Sequence, residues 1–193
     1  DQLHENLGGN LRKYFQYMRW KMWCAPFFLL LMVSMTTTCA SATDPTSVYV
    51  YPPSATISTP GASVTVEINV TDVTNLYGYD VFVKYESTIL EVISFEVTGP
   101  GQVVPPSSSD YTVSDVSSPS IGMLGINVGF LEEPNHPPSF NGSGTLLWVT
   151  FKGKKVGVSA LDLDATALYT TTLWNRNQDP IPDVTLNDGE ITV

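Results

Sequence analysis

The spacing of strand-forming and turn-forming residues is the feature that most restricts the fold of this chain. From Ser47 onward, short runs rich in Val, Ile, Thr, Tyr and Phe alternate with clusters of Pro, Gly, Ser and Asn. This spacing is typical of antiparallel sandwiches and barrels, so we predict an all-β fold, an antiparallel β-sandwich. The predicted strands are 47–51, 63–71, 78–85, 89–97, 111–116, 121–131, 145–152, 156–163, 167–174 and 189–193. Proline-rich and glycine-rich stretches at 99–110 and 132–144 are predicted loops.

Residues 18–42 have the pattern of an export signal. A basic start at 18–21 precedes an apolar core at 25–33 and a small-residue stretch at 39–42. We therefore interpret 18–42 as a secretory signal peptide with cleavage after Ala42. The alternative is an uncleaved membrane anchor over 22–42, which contains no charge and is just long enough to span a bilayer. Residues 1–17 precede Met18 and are given no function.

The remaining segment, 43–193, has the length of one domain with a single core. Four of the nine basic and two of the nineteen acidic residues lie before residue 43, which leaves five basic and seventeen acidic residues, a net charge of −12. Such a surface repels phosphate backbones, so no nucleic-acid binding is expected. Both cysteines, Cys24 and Cys39, lie in the predicted leader, so the domain is expected to fold without disulfides.

We recognise no set of catalytic groups in the sequence. His136 is the one histidine after residue 42, and it lies in a proline-rich loop. Glu132 and Glu133 are adjacent, so on a strand they would point to opposite sides and could not face each other as acid and base. The nucleophile-elbow, zinc-helix and phosphate-loop motifs do not occur. We therefore predict that the protein is not an enzyme.

Two acidic residues and two glycosylation motifs are further candidates. Asp162 and Asp164 would share one side of a strand, but calcium usually takes six or more oxygen ligands and the sequence has no calcium loop. No cofactor is therefore expected. Asn69-Val70-Thr71 and Asn141-Gly142-Ser143 match the N-glycosylation acceptor, and Asn141 is preferred because it lies in a predicted loop.

The alternation of side chains separates core from surface in three predicted strands. In 78–85, Tyr79, Val81 and Val83 are expected in the core. In 121–131 and 145–152, the apolar series beginning at Leu124 and at Leu147 are expected in the core, subject to register. The residues expected to point outward are Asp80, Phe82, Lys84, Met123, Gly125, Asn127, Gly129, Leu146, Trp148 and Thr150.

The order of several motifs resembles that of a cohesin domain. Asp80-Val81-Phe82-Val83-Lys84-Tyr85-Glu86, followed by Ile89-Leu90-Glu91-Val92, is similar to the cohesin run D-F-x-x-x-Y-D-x-x-x-L-E-V. "GSGTLLWVTFK" (142–152) and "DGEITV" (188–193) are similar to a late strand and the closing strand. The resemblance covers about residues 47–193, and "LYGYD" and "GSGTL" are most similar to cohesin-like domains of archaeal and some bacterial surface proteins.

The resemblance implies a jelly-roll sandwich of about nine strands, outside the cell or at its surface, that binds without catalysis. Its partner would be a dockerin-bearing protein, and any calcium is expected on that partner rather than on this chain. A membrane would be involved only through an uncleaved leader. Cellulose-type carbohydrate-binding modules share the superfold, so polysaccharide binding is the alternative, and a structural spacer in a surface layer is the third.

The resemblance also implies a binding site. In cohesins the dockerin-facing sheet includes the strand matching 78–85, and an acidic residue at the position of Asp80 contacts the partner, whereas Gly78 stands where scaffoldin cohesins often have Asn.

Trp174 and Tyr169 are expected near a different edge. Either predicted loop could instead cover the aromatic residues. The predicted partner-binding residues, on one sheet, are Asp80, Phe82, Lys84, Met123, Asn127 and Trp148.

Overall fold

The computed structural model describes residues 45–99, 101–104, 111–131, 139–166 and 168–193, and these form thirteen strands. The strands are β1 (Ser47–Tyr51), β2 (Ser54–Thr56), β3 (Ser63–Lys84), β4 (Leu90–Glu96), β5 (Tyr111–Asp115), β6 (Met123–Phe130), β7 (Phe140–Gly153), β8 (Val158–Leu161), β9 (Asp164–Thr166), β10 (Tyr169–Thr170), β11 (Thr172–Asn175), β12 (Thr185–Asn187) and β13 (Gly189–Thr192). A 3₁₀ turn, Pro119–Ile121, precedes β6.

Strand β3 organises the fold because it takes part in both layers. It runs for 22 residues, and its pairing with β7 shifts register between Val70 and Leu76. Asp72 and Asn75 adopt left-handed backbone conformations there, with φ of 53° and 60°. The first half of β3 pairs with β1 and β7, whereas the second half pairs with β6 and β11. The two strands predicted at 63–71 and 78–85 are therefore one bent strand.

Contacts across the core show that the two halves of β3 belong to opposite layers. The hydroxyl of Tyr79, in the second half, donates to the carbonyl of Leu146 on β7 over 2.8 Å. The rings of Tyr85 and Phe151 meet edge to face with centroids 5.5 Å apart. The rear layer is thus β4–β7–β3–β1–β12, and the front layer is β11–β3–β6–β5. The predicted β-sandwich fold is confirmed.

The core lies between these layers and is built by the predicted alternation. Tyr79, Val81 and Val83 are fully buried, as are Leu147, Val149 and Phe151 opposite them. Val66 and Ile68, in the first half of β3, contribute their side chains to the same core. One contiguous apolar cluster fills the sandwich, so burial of these side chains is the main source of its stability.

Short strands at the margin complete the sandwich. Strand β13 pairs with β2 in parallel and with β8 in antiparallel orientation, and β12 lies parallel to β1. Strands β9 and β10 form a small hairpin. Strands β2, β9 and β12 were not predicted, because segments of three residues give too little alternation to be recognised.

The described residues lie within the compact unit Thr43–Val193. The predicted leader, including Ala42, lies outside the described residues. Within the described part of the chain, no helix has the length and apolar character needed to cross a membrane.

Candidate partner-binding face

The outward side of the front layer carries the predicted residues of the second half of β3. Asp80, Phe82 and Lys84 are partly exposed there, while their neighbours Tyr79 and Val81 have no exposure. This confirms the predicted orientation of the three side chains. We call this surface the front face and define it by Gly78, Asp80, Phe82, Ser114, Val116, Gly125, Asn127, Gly129, Tyr169, Thr172 and Trp174.

A row of polar side chains crosses the middle of the front face. Thr172, Asp80, Asn127 and Ser114 are successive cross-strand partners on β11, β3, β6 and β5. The indole Nε1 of Trp174 donates to Asp80 Oδ2 over 2.7 Å. Burial raises the pKa of the Asp80 carboxyl above its ordinary value, and the hydrogen bond from Trp174 opposes this shift without cancelling it.

The polar row includes an amide oxygen without an internal donor. Asn127 Oδ1 is buried and accepts no hydrogen bond from the described residues. Leaving such an acceptor unpaired costs about 1–3 kcal/mol, so a donor brought by a partner would recover free energy here. Asn127 therefore fulfils the chemical requirement of a contact residue, although its role in binding stays a prediction.

Two glycines without side chains leave a depression in the front face beside this row, and their backbone forms its floor. Gly78 on β3 is paired with Gly129 on β6. A Cβ atom at Gly78 would lie 2.8 Å from the carbonyl oxygen of Val128, so a larger residue would not fit without a backbone shift. With Trp174 and Thr112 at its sides, the floor forms an open groove of about 590 Å³ that reaches Asp80 and Asn127. This is a physical reason for Gly78 where scaffoldin cohesins often have Asn.

An apolar patch adjoins the polar row on its other side. The Phe82 ring meets Tyr169 edge to face with centroids 5.6 Å apart, and it extends over Gly125. Val116 lies against the same glycine, bonded through its amide to the carbonyl of Gly125. Val116 is 45% exposed and Tyr169 is 37% exposed, so the patch is open to solvent.

Trp174 and Tyr169 belong to this face, not to a different edge, so that prediction is wrong. Strand β11 pairs with the second half of β3, opposite Gly78 and Asp80, and the hairpin of β9 and β10 brings Tyr169 onto Phe82. Alternation within 172–175 could have identified Trp174 as a surface residue. It could not have shown which strand lies beside β11, because that pairing joins residues about ninety positions apart in sequence.

Lys84 and Met123 lie where the front face ends. The Nζ group of Lys84 donates to the carbonyl of Ile121. Met123 was predicted to point outward, but it is only 3% exposed. The 3₁₀ turn folds back beside the start of β6, and Ser118 exchanges both backbone hydrogen bonds with Met123. Met123 is therefore covered and is not available to a partner in this structure.

Trp148 does not lie on the front face, so the prediction that all six partner-binding residues share one sheet is wrong. It lies on β7 in the rear layer, between Glu67 of β3 and Glu96 of β4. A Cβ atom at Gly99 would lie 3.4 Å from its ring, so the start of the predicted 99–110 loop packs against the indole. Covering of this aromatic residue by that loop was one of the alternatives left open by the sequence.

Leu146 also differs from the prediction, because it is fully buried rather than outward. The register between β3 and β7 shifts at this point, so that Ile68 faces Leu147 whereas Asn69 faces Thr145. Leu146 is the extra residue of this β-bulge, and two successive side chains consequently enter the core.

The acidic candidates for calcium have partners within the chain. Asp162 Oδ1 accepts the amide of Asp164, and Asp164 Oδ1 accepts the hydroxyl of Thr170. Among the described residues, no group of three or more His, Cys, Asp or Glu side chains is arranged to hold a metal ion. His136, Glu132 and Glu133 lie outside the described residues.

The two glycosylation candidates differ in accessibility. Asn69 lies within β3, where its Nδ2 donates to Glu67 Oε2 over 3.1 Å and its Oδ1 is buried. Asn141 is exposed at the start of β7 rather than in a loop, and its Oδ1 accepts the amide of Asn75. Asn141 is thus the more accessible of the two, and glycosylation of either residue stays a prediction.

Comparison with known proteins agrees with this architecture. The cohesin-domain family matches residues 51–193. Among solved structures, the third cohesin of ScaC from Acetivibrio cellulolyticus, in complex with the ScaB dockerin, has a TM-score of 0.59 at 21% identity, covering 77% of this chain and 98% of that chain. A type II cohesin domain from the cellulosome of the same organism has a TM-score of 0.63 at 20% identity, covering 76% of this chain and 95% of that chain.

An archaeal relative is also similar in structure. A non-cellulosomal cohesin from the hyperthermophilic archaeon Archaeoglobus fulgidus has a TM-score of 0.55 at 14% identity, with 77% of this chain and 90% of that chain covered. No curated protein sequence matches the chain. These identities do not favour the archaeal subgroup, so that part of the resemblance stays a prediction.

The two packed sheets define an all-β sandwich module. The family match covers well over half of the chain. The chain belongs to the cohesin family.

Proposed function

We propose that this protein is an exported, non-catalytic module that binds a dockerin-bearing protein through the front face. The observation that carries the proposal is the compact apolar patch of Phe82, Tyr169 and Val116 directly beside the polar row of Asp80 and Asn127. A partly exposed apolar cluster with polar groups beside it is how protein-binding surfaces are commonly built. The cohesin–dockerin complexes among the similar structures support the class of partner.

The arrangement of aromatic rings favours protein over polysaccharide. A sugar chain stacks on rings that follow one line, and such a line would need Phe82 and Trp148 on one sheet, as predicted. These two residues lie in opposite layers, and Phe82 meets Tyr169 at an angle of 61° between the ring planes. The rings near Phe82 therefore form a compact patch rather than a flat strip. A spacer without a partner would not need this patch exposed.

Titration calorimetry of the full chain with recombinant dockerin modules from the organism that encodes this chain tests the proposal. Each dockerin is added in calcium and again after chelation, because dockerins hold the calcium. Val116→Lys places a charge on the front face, and Val158→Lys is the matched control, since Val158 is 57% exposed on β8 outside that face. We expect calcium-dependent binding that Val116→Lys weakens at least tenfold and Val158→Lys leaves unchanged.

Other outcomes separate the alternatives. Binding that is equally impaired by both variants, or by neither, would contradict the front face as the site. Absence of dockerin binding together with retention of the chain on insoluble cellulose would replace the protein partner by a polysaccharide. Retention on neither would favour the spacer.

A further inference from the structure

The groove over Gly78 and Gly129 offers more hydrogen-bond acceptors than its described residues have donors for. It is about 590 Å³ in volume, and Asp80 and Asn127 lie along its side. Asn127 Oδ1 accepts no hydrogen bond from the described residues, and one oxygen of Asp80, Oδ2, accepts the Trp174 indole. Among the described residues that line the groove, Asp80 is the only ionisable acid or base other than tyrosine. The carboxylate thus has no cation beside it among the described residues of the groove wall.

The remaining wall suits the stem of a long side chain. Trp174 lies along the groove, and an indole attracts a cation placed over its ring face. The two glycines leave the floor free of side chains, so an aliphatic stem can reach Asp80 along the backbone. The domain as a whole carries five basic and seventeen acidic residues, which attracts a positively charged partner surface.

We propose that this groove receives one arginine or lysine side chain of the partner, which bonds to Asp80 and Asn127 while its stem lies along Trp174. The proposal deepens the function proposed above and rests on it for the docking of the partner protein. An arginine fits best, because its planar fork can donate to two acceptors at once and can stack on the indole. The buried amide oxygen and the half-buried carboxylate then both gain donors.

Nuclear magnetic resonance with a small probe tests the groove independently of any dockerin. The full chain, labelled with ¹⁵N, is titrated with N-acetyl-arginine amide and, separately, with N-acetyl-citrulline amide, which has nearly the same shape without the charge. The chain has four tryptophans, so the Trp174 indole resonance is assigned from a Trp174→Phe sample. We expect a saturable shift of that resonance with the arginine probe, with an affinity at least fivefold weaker for the citrulline probe.

Two variants identify the acceptor. Asp80→Asn keeps the shape and the acceptor for Trp174, and it should abolish the difference between the two probes. Asp115→Asn is the matched control, because Asp115 is exposed on β5 and does not line the groove. Equal binding of both probes, no saturable shift at Trp174, or an unchanged arginine response in Asp80→Asn would overturn the proposal.

The two proposals fail in distinguishable ways. Calcium-dependent dockerin binding without an arginine response would retain the proposed function and remove the basic side chain from the groove. A Trp174 shift that appears only with cello-oligosaccharides would identify a sugar site and overturn the groove proposal.

Discussion

Tyr79 joins the two layers of the sandwich through one buried hydrogen bond, to the carbonyl of Leu146. Burial raises the pKa of this hydroxyl far above its ordinary value, so the group stays protonated and able to donate. Tyr79→Phe would leave the carbonyl of a bulged residue without this donor. We expect a loss of about 1–3 kcal/mol in the free energy of unfolding, measured by urea denaturation. Tyr51→Phe, at a residue that is 54% exposed, is the control and should change that value by less than about 0.5 kcal/mol.

Asp80 gives the folded protein a pH dependence of known sign. Burial raises its folded-state pKa above the ordinary 3.8, so the folded state binds the proton more tightly than the unfolded state does. Folding stability contributed by this group is therefore greatest below pH 3.8 and falls as the pH rises through the folded-state pKa. We expect Asp80→Asn to raise the melting temperature at pH 7 and to have a smaller effect at pH 3.5. The reverse order, measured by calorimetry with Asp115→Asn in parallel, would contradict this assignment.

Single residues were predictable where a strand stays regular and not where it ends or bulges. The alternation placed Asp80 and Phe82 correctly because the second half of β3 keeps one register against β6. Met123 and Leu146 failed for local reasons, a 3₁₀ turn folded onto one and a bulge displacing the other. Neither device changes the apolar pattern enough to be recognised in the sequence.

At the scale of elements, two side chains of β7 form hydrogen bonds to the backbone at the bend in β3. Asn141 Oδ1 accepts the amide of Asn75 over 2.7 Å, and Ser143 Oγ accepts the amide of Asp72 over 3.0 Å. These bonds hold the two left-handed residues at the register shift. We expect Asn141→Ala to lower the free energy of unfolding by about 0.5–1.5 kcal/mol and to accelerate exchange of the Asn75 amide hydrogen. Asn177→Ala, in an exposed turn, should do neither; unchanged exchange at Asn75 would remove the role given to Asn141.

Strand β13 holds two other strands in place. Both β2 and β8 pair with it, and Ile191 is fully buried between them. Ile191→Ala should lower the free energy of unfolding by about 2–5 kcal/mol, because the lost burial leaves a cavity among packed strands. Val158→Ala, at a position 57% exposed on β8, is the comparison and should have a much smaller effect in the same denaturation experiment. Similar losses in the two variants would mean that β13 is not closely packed.

At the scale of the whole molecule, the fold class followed from the sequence, whereas the composition of the site did so only in part. Strand-like segments with turns between them indicate an all-β sandwich or barrel whatever their order in the sheets. Which strand lies beside which is decided by pairings between distant segments, such as β11 with β3. For this reason the sequence assigned Trp148 to the front face and Trp174 away from it, and the structure exchanges their places.

The excess of acidic residues should make salt act in opposite directions on folding and on binding. Twelve more acidic than basic residues after position 42 repel one another in the folded domain, and salt shortens the range of that repulsion from about 30 Å at 0.01 M to about 8 Å at 0.15 M. The melting temperature should therefore rise with sodium chloride. The affinity for a partner with a basic side chain in the groove should fall over the same range, since screening weakens its attraction to Asp80. Calorimetry of unfolding and of dockerin binding in one salt series measures both. A melting temperature that falls together with the affinity would attribute the weaker binding to a loss of folding, whereas opposite trends would tie it to charge.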